Sequence, residues 1–155
     1  MAWLHDWKQS SHTAFASQQI KWDTDGNGWL YCYSATIQCS AHYPYCIQKS
    51  EYGWTATTLF AQSDIAGLHY VGVAKTTIST ANYGWYQIGG YCSNAILTST
   101  TGTIGDAIKE ASGTVLTVGT TDTGLANAFA VFAATGADNI THCITLFPVM
   151  IDGQD

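Results

Sequence analysis

Short apolar runs alternate with turn-forming residues along most of the chain, and the pattern repeats roughly every ten residues. Runs this short, rich in β-branched and aromatic residues and bounded by Gly, Thr and Asn, predict strands rather than helices. We therefore predict an all-β fold, a single β-sandwich or β-barrel-like domain. The main strand-like runs lie in residues 29–48, 68–74, 82–92, 95–100, 113–119, 128–133 and 141–151.

The most aromatic run, at residues 82–92, reads Asn-Tyr-Gly-Trp-Tyr-Gln-Ile-Gly-Gly-Tyr-Cys. Large side chains fall on both faces of its alternation, which predicts a strand covered on both sides. The Gly-Gly pair predicts a bulge or a bend at a sheet edge, so we expect a strand of four or five residues and a new one from residue 95. An exposed aromatic platform is the alternative. The predicted core-strand residues are Trp85, Tyr86, Ile88, Gly89 and Gly90.

Two segments carry weaker signals. Residues 105–113 could form a short helix, but their all-β surroundings favour a turn and a short strand. Pro148, inside the closing run, requires an edge position or a bulge because proline has no N–H to donate.

The first 17 residues have no strand pattern, so we divide the chain into an N-terminal arm, 1–17, and a β-rich domain, 18–155. Trp3, Leu4 and Trp7 could share one face of a short helix that is too short to be stable alone. These side chains either fold back onto their own domain or dock as a clamp on a neighbouring subunit.

Composition narrows the choice of partners. Charged residues make up 10% of the chain, against roughly 25% in ordinary soluble domains. This scarcity suggests that other protein covers much of the surface. The formal net charge is −6, and the chain has five lysines and no arginine, so we expect no nucleic-acid partner and no membrane partner.

The N-terminal sequence lacks the basic and apolar regions of a secretory signal. We therefore expect a reducing compartment and five free thiols that act as small apolar fillers. The odd number of cysteines also disfavours a disulfide framework. These cysteines are Cys32, Cys39, Cys46, Cys92 and Cys143.

Two patterns resemble metal sites. Asp23, Asp25 and Asn27 match the first half of a calcium loop, but Ser34 stands where the bidentate Glu is needed. A tight Asp-Gly and Asn-Gly hairpin explains the same residues without a metal. Cysteines at every seventh position from Cys32 to Cys46 lack the close pairs typical of zinc sites. We predict no metal and no cofactor.

Motifs for catalysis are also missing from the sequence. It has no Gly-x-Ser-x-Gly elbow, no His-Glu-x-x-His and no phosphate-binding glycine loop. His69 and His142 lie in strand-like runs, where satisfied core or interface histidines are commoner than catalytic bases. We therefore predict that the protein is not an enzyme.

Several short motifs occur in an order that resembles the head decoration, or cement, proteins of tailed bacteriophages. They are a "vGvA" strand at 71–74, a "yGW-x-Q-x-x-G" strand at 83–90, Gly105-Asp and a closing Ile-Thr-Leu-Phe-Pro-Val run from residue 144. An upstream "D-x-D-G" hairpin matches residues 23–26. The resemblance covers about residues 18–151 and excludes the arm.

This resemblance implies a structural virion protein assembled in the bacterial host cytoplasm. Such proteins bind the outer face of an icosahedral head where major capsid subunits meet, as homo-oligomers, with a trimer favoured over a dimer. Binding only the mature shell would stabilise it by mass action. The alternative function is a tail-tip or fibre-associated β-sandwich module that binds host carbohydrate through exposed Trp and Tyr.

Overall fold

A computed structural model describes residues 20–59, 68–97, 102–111, 114–118, 128–134, 141–148 and 151–152. These residues form eleven strands and no helix, which confirms the all-β prediction. The strands are β1 (Lys21–Trp22), β2 (Gly28–Ser34), β3 (Pro44–Ser50), β4 (Gly53–Thr57), β5 (Leu68–Ala74), β6 (Asn82–Ile96), β7 (Ala107–Ala111), β8 (Thr114–Val118), β9 (Ala130–Phe132), β10 (Thr141–Leu146) and β11 (Ile151–Asp152).

Five strands close into a barrel in the order β2, β4, β3, β5 and β6, with β6 returning to β2. Neighbours in this ring are antiparallel except β2 and β4, which are parallel. Alternate residues point inward and fill the barrel with apolar side chains. Those of Leu30, Ile47, Tyr86 and Ile88 are completely buried there.

A second sheet continues from the last part of β6 through β10, β9, β7 and β8. Its inner side chains, including Phe132 and Ile144, share one core with Val71 and Val73 of β5. Because residues 71 and 73 alternate with barrel-facing positions, the second sheet packs against the outside of the barrel at β3 and β5.

The expectation of a four- or five-residue aromatic strand followed by a new strand at residue 95 was wrong. β6 is one strand of 15 residues, Asn82–Ile96, that runs through both sheets. Gly89 pairs with Gly28, and Gly90 pairs with Leu146. The register shifts beside Gly28, so a bulge is present, but pairing continues through it.

Other elements follow the sequence more closely. β5 has the bounds of the predicted 68–74 strand, and residues 105–113 contain the short strand β7. β4 was not singled out from the sequence. Pro148 lies between β10 and β11 rather than inside a strand.

Candidate partner-binding surface

The hairpin between β1 and β2 is organised by the carboxylate of Asp23. One of its oxygens accepts hydrogen bonds from the backbone N–H groups of Asp25 (3.0 Å) and Asn27 (2.8 Å). The other accepts from Asn27 Nδ2 (3.1 Å) and Trp29 Nε1 (2.9 Å). Both oxygens are therefore engaged by donors of the same hairpin, as in an Asx turn.

Burial alone would raise the pKa of the Asp23 carboxyl. The hydrogen bonds from Trp29, Asn27 and Asp25 outweigh that effect and lower the pKa, because each of them favours the ionised form. Both carboxylate oxygens accept hydrogen bonds from groups of the same hairpin, so the geometry is that of a hairpin turn. Among the described residues no group of three or more His, Cys, Asp or Glu side chains could hold a metal ion.

Gln87 connects this hairpin to the bulge of β6. Its side-chain Nε2 lies 3.3 Å from Asn27 Oδ1, 3.2 Å from the carbonyl oxygen of Gly89 and 2.9 Å from that of Tyr91. A buried amide that donates to these acceptors fixes the backbone where β6 leaves the barrel. We call Asp23, Asn27, Gln87, Gly89 and Gly90 the hairpin–bulge junction.

Gly90 is the point of closest approach in the junction. Its φ of +88° lies in the left-handed region, and a Cβ there would come within 2.5 Å of Asn27 Oδ1 and 2.9 Å of Asn27 Cα. Only glycine meets both conditions without strain.

Trp22 covers the neighbouring pair of glycines. A Cβ added to Gly28 or to Gly89 would lie 3.2 Å from the Trp22 ring, and Pro148 adjoins Gly89. The indole therefore rests against the two glycines. Trp22 is still 48% exposed, so part of the ring faces solvent.

A series of aromatic rings in contact lies along the outer face of the barrel on β2 and β6 and ends in the β3–β4 turn. Consecutive ring centroids are 5.0 Å apart for Trp85 and Tyr31, 5.6 Å for Tyr31 and Tyr83, 4.8 Å for Tyr83 and Tyr33, and 5.1 Å for Tyr33 and Tyr52. These separations are in the range of favourable ring–ring packing. We call these five residues the aromatic row.

The aromatic row leads from the interior to the surface. Trp85, Tyr31 and Tyr83 are buried, Tyr33 is half-buried, and Tyr52 is 52% exposed. Tyr52 lies in the turn between β3 and β4, where its backbone N–H donates to Ser50 Oγ at 3.1 Å. The exposed ring is thus presented by a short turn and supported from behind by a half-buried one.

The pKa values of two phenols in the aromatic row are raised, each for a different reason. Desolvation, followed by the nearby Tyr33, raises the pKa of Tyr83. A hydrogen bond with Glu51, followed by that carboxylate's charge, raises the pKa of Tyr52. Both phenols are therefore neutral hydrogen-bonding groups at ordinary pH.

The cysteines are free thiols. Four are buried, and Cys143 is half-buried. Burial, with a smaller contribution from Cys39, holds the pKa of Cys32 well above its usual range. A thiol in that environment is a poor nucleophile.

The two histidines of the strand-like runs lie in strands, His69 on β5 and His142 on β10. His69 and His142 are both buried, and His142 packs edge-on against Phe132 at 5.2 Å between ring centroids. Among the described residues no hydrogen-bond partner reaches either ring nitrogen of His142. His142 is therefore a core histidine, as expected, but the expectation that its ring is satisfied by hydrogen bonds was wrong, and an unpaired buried ring nitrogen costs free energy.

The structure places the predicted core residues together on β6. Trp85 is 1% exposed, and Tyr86 and Ile88 are completely buried. Gly89 is buried and Gly90 is half-buried. The predicted clamp residues Trp3, Leu4 and Trp7 lie outside the described residues.

Sequence reasoning missed the roles of Tyr33, Tyr52 and Gln87. A signal for part of the row was present, since Trp29, Tyr31 and Tyr33 alternate along one run just as Tyr83 and Trp85 do along another. Alternation marks one face of a strand, but it does not show that two such faces are neighbours.

No protein-family model, curated protein or solved structure matches the chain. In the part of the chain that the structure describes, no helix has the length and apolar character needed to cross a bilayer.

Proposed function

We propose that the protein is a non-enzymatic structural protein of a tailed-phage virion. It binds the outer face of the icosahedral head at junctions between major capsid subunits and stabilises the mature shell. The observation that carries this proposal is the aromatic row, because it ends at an exposed tyrosine in a turn of the barrel, packed against the half-buried ring of Tyr33. Aromatic side chains supported in this way are the usual anchors of protein interfaces.

Three of the motifs behind the resemblance meet in one part of the fold, which supports the proposal. Val73 of the "vGvA" strand pairs with Gln87 of the "yGW-x-Q-x-x-G" strand. The "D-x-D-G" hairpin reaches the same Gln87 through Asn27. These motifs therefore account for how the strands that carry the aromatic row are held together, and not for contacts with a partner.

Low charge gives a second line of support. An interface that buries few charges avoids the desolvation cost of unpaired ions, and interface cores are depleted of charged residues. With 10% charged residues, this chain can bury a wide area against capsid protein. An oligomer that engages several capsid subunits at once also gains avidity.

Attachment to heads can be tested with two tyrosines of nearly equal exposure. Tyr52 is 52% and Tyr91 is 55% exposed, on the barrel and on the second sheet respectively. Heads of the source phage that lack this protein are mixed with each variant and sedimented. We expect Tyr52→Ala to weaken attachment about 30-fold or more, as loss of an anchor residue does, and Tyr91→Ala to bind normally.

Equal binding of the two variants would remove the aromatic row from the interface. The copy number in purified virions tests the function itself. A decoration protein should be comparable in abundance with the major capsid protein, whereas a scarce band confined to tails would contradict the proposal.

The exposed indole of Trp22 favours the carbohydrate-binding alternative, because a ring that rests on glycines and faces solvent can stack on a sugar. In that case Trp22→Ala would abolish binding to host glycans, and Tyr52→Ala would not affect head attachment.

A further inference from the structure

The outer edge of β8 differs from the other sheet edges in the described residues. β8 is five residues long, Thr-Val-Leu-Thr-Val, and β7 is its one partner strand there. β1 and β11, which also lie at edges, have two residues each and carry Lys21 and Asp152. Short length and charge are the usual protections of an edge against pairing with another chain.

β8 has none of these protections. No charged residue and no proline stands between Glu110 and Asp122, and β8 consists of residues with high β-propensity and low polarity. An uncharged edge strand of this kind is a template for strand addition.

Pairing with β7 determines which backbone groups of β8 are available. Ala111 pairs with Thr114, and two residues connect them. The pair that flanks a two-residue connection is hydrogen-bonded, and hydrogen-bonded pairs then alternate along the ladder. The N–H and C=O groups of residues 114, 116 and 118 therefore face β7, whereas those of Val115 and Thr117 face the outer edge.

We propose that β8 pairs antiparallel with β8 of a second copy of this chain, about a two-fold axis at Leu116. Val115 of each copy then forms a hydrogen-bonded pair with Thr117 of the other. The occupant is a second copy because an uncharged strand meets no like-charge repulsion when it pairs with itself. The contact also satisfies the outward-facing groups on both strands at once.

This contact joins the second sheets of two copies into one continuous sheet. It is small, so we expect a weak, concentration-dependent dimer. The proposal does not depend on the function proposed above and uses a different edge of the molecule from the aromatic row. A two-fold contact also differs from the threefold arrangement that the resemblance favours.

The test exploits the alternation of N–H groups along β8. Thr117→Pro removes an N–H that faces outward, so β7 keeps its hydrogen bonds. We expect this variant to melt like the unaltered full-length protein and to self-associate at least about tenfold more weakly in analytical ultracentrifugation. Leu116→Pro, the matched control, removes an N–H that faces β7 and should destabilise the fold.

Cross-linking gives an independent readout. Leu116 meets its copy in a non-hydrogen-bonded pair, where Cα atoms are about 4.5 Å apart and a disulfide can form. Leu116→Cys should therefore give a reducible covalent dimer under mild oxidation. The unaltered protein and Ile104→Cys, an exposed position in the turn before β7, should not.

A protein that stays monomeric at every concentration overturns the proposal. So does an oligomer that Thr117→Pro leaves intact and Leu116→Cys fails to cross-link. A trimer with those properties would overturn edge pairing while leaving the head-attachment proposal in place. Normal edge pairing without attachment to heads would overturn the head-attachment proposal and leave edge pairing in place.

Discussion

The two halves of β6 share one continuous backbone but have different surroundings. In the first half, residues 82–89, large side chains are buried on both faces, with Trp85 in the aromatic row and Tyr86 inside the barrel. In the second half, Cys92 and Ala95 are buried, whereas Tyr91, Ser93 and Asn94 are exposed. A strand thus changes from a two-sided to a one-sided environment at the bulge without breaking.

The difference shows what the hairpin–bulge junction does. A regular strand would carry its alternation unchanged from the barrel into the second sheet. The extra residue of the bulge and the positive φ of Gly90 alter the alternation at the point where the partner strand changes. Each half can therefore bury the residues that suit its own sheet.

The largest expected effect is in the first half. Trp85→Ala removes a ring that is buried against Tyr31, and we expect it to lower the free energy of unfolding by about 3–5 kcal/mol. Tyr91→Ala, in the exposed part of the second half, should cost less than about 1 kcal/mol. Urea unfolding followed by circular dichroism measures both. Equal costs would mean that the two halves do not differ in packing.

Gly90→Ala tests the bulge itself. The new Cβ combines an unfavourable φ with a collision against Asn27, and we expect destabilisation of about 2–3 kcal/mol. Gly26→Ala is the control, because its φ is +80° but no atom lies within 4 Å of the added Cβ. That change should cost about 1 kcal/mol. A Gly90→Ala protein no less stable than Gly26→Ala would show that the close approach is unimportant.

Gln87→Leu removes the amide that links the two halves. It leaves the carbonyl oxygens of Gly89 and Tyr91 without this donor, which should cost about 1–3 kcal/mol. Gln48→Leu, at a half-buried position on β3, should change stability by less than about 0.5 kcal/mol. Thermal unfolding compares them, and matching curves would contradict a structural role for the Gln87 amide.

A smaller effect should follow pH. The pKa of Asp23 is lowered in the folded protein, so its stabilisation is complete above the pKa of the unfolded chain. It is lost as pH falls through the folded-state value. We expect less than about 1 kcal/mol, because water screens a partly exposed carboxylate. Between about pH 5 and pH 2, the free energy of unfolding of Asp23→Asn should decline less steeply than that of the unaltered protein. An identical slope would argue against stabilisation by the Asp23 carboxylate.

The smallest effect on stability is expected from the arm. If Trp3, Leu4 and Trp7 clamp a neighbouring subunit, deletion of residues 2–17 should leave unfolding nearly unchanged. The same deletion should weaken attachment to heads or self-association, as sedimentation would report. A truncated protein that melts far lower but binds heads normally would place the arm in its own domain's core.

The sequence predicted the strands that have a strong apolar or aromatic pattern. β5 could be read directly, because the run from Leu68 to Ala74 is apolar and β-branched. β4, Gly-Trp-Thr-Ala-Thr, has two small residues and two threonines, and one of its two neighbours, β2, is not adjacent to it in the chain. Local pattern does not contain that information.

The prediction of a short β6 was wrong for a physical reason. Two successive glycines weaken a strand, and from the sequence alone they predict its end because the neighbouring strands are not known. Here Gly28 and Leu146 pair with them, and the Gln87 amide holds the backbone on either side. The aromatic row was missed for the same reason, since Tyr52 meets Tyr33 only because the β3–β4 turn lies beside β2.

Ring closure of the barrel has a kinetic consequence. β2 pairs with β6, whose first residue follows Ser34 by almost fifty positions along the chain. The second sheet can form only after β10 has also been synthesised. Contacts of such long sequence separation form slowly, because the intervening chain must lose its freedom before they contribute. During synthesis, β2 to β4 would emerge from the ribosome before either sheet could be completed. The barrel of the nascent protein therefore forms late, when β6 becomes the last strand of the barrel and the first strand of the second sheet.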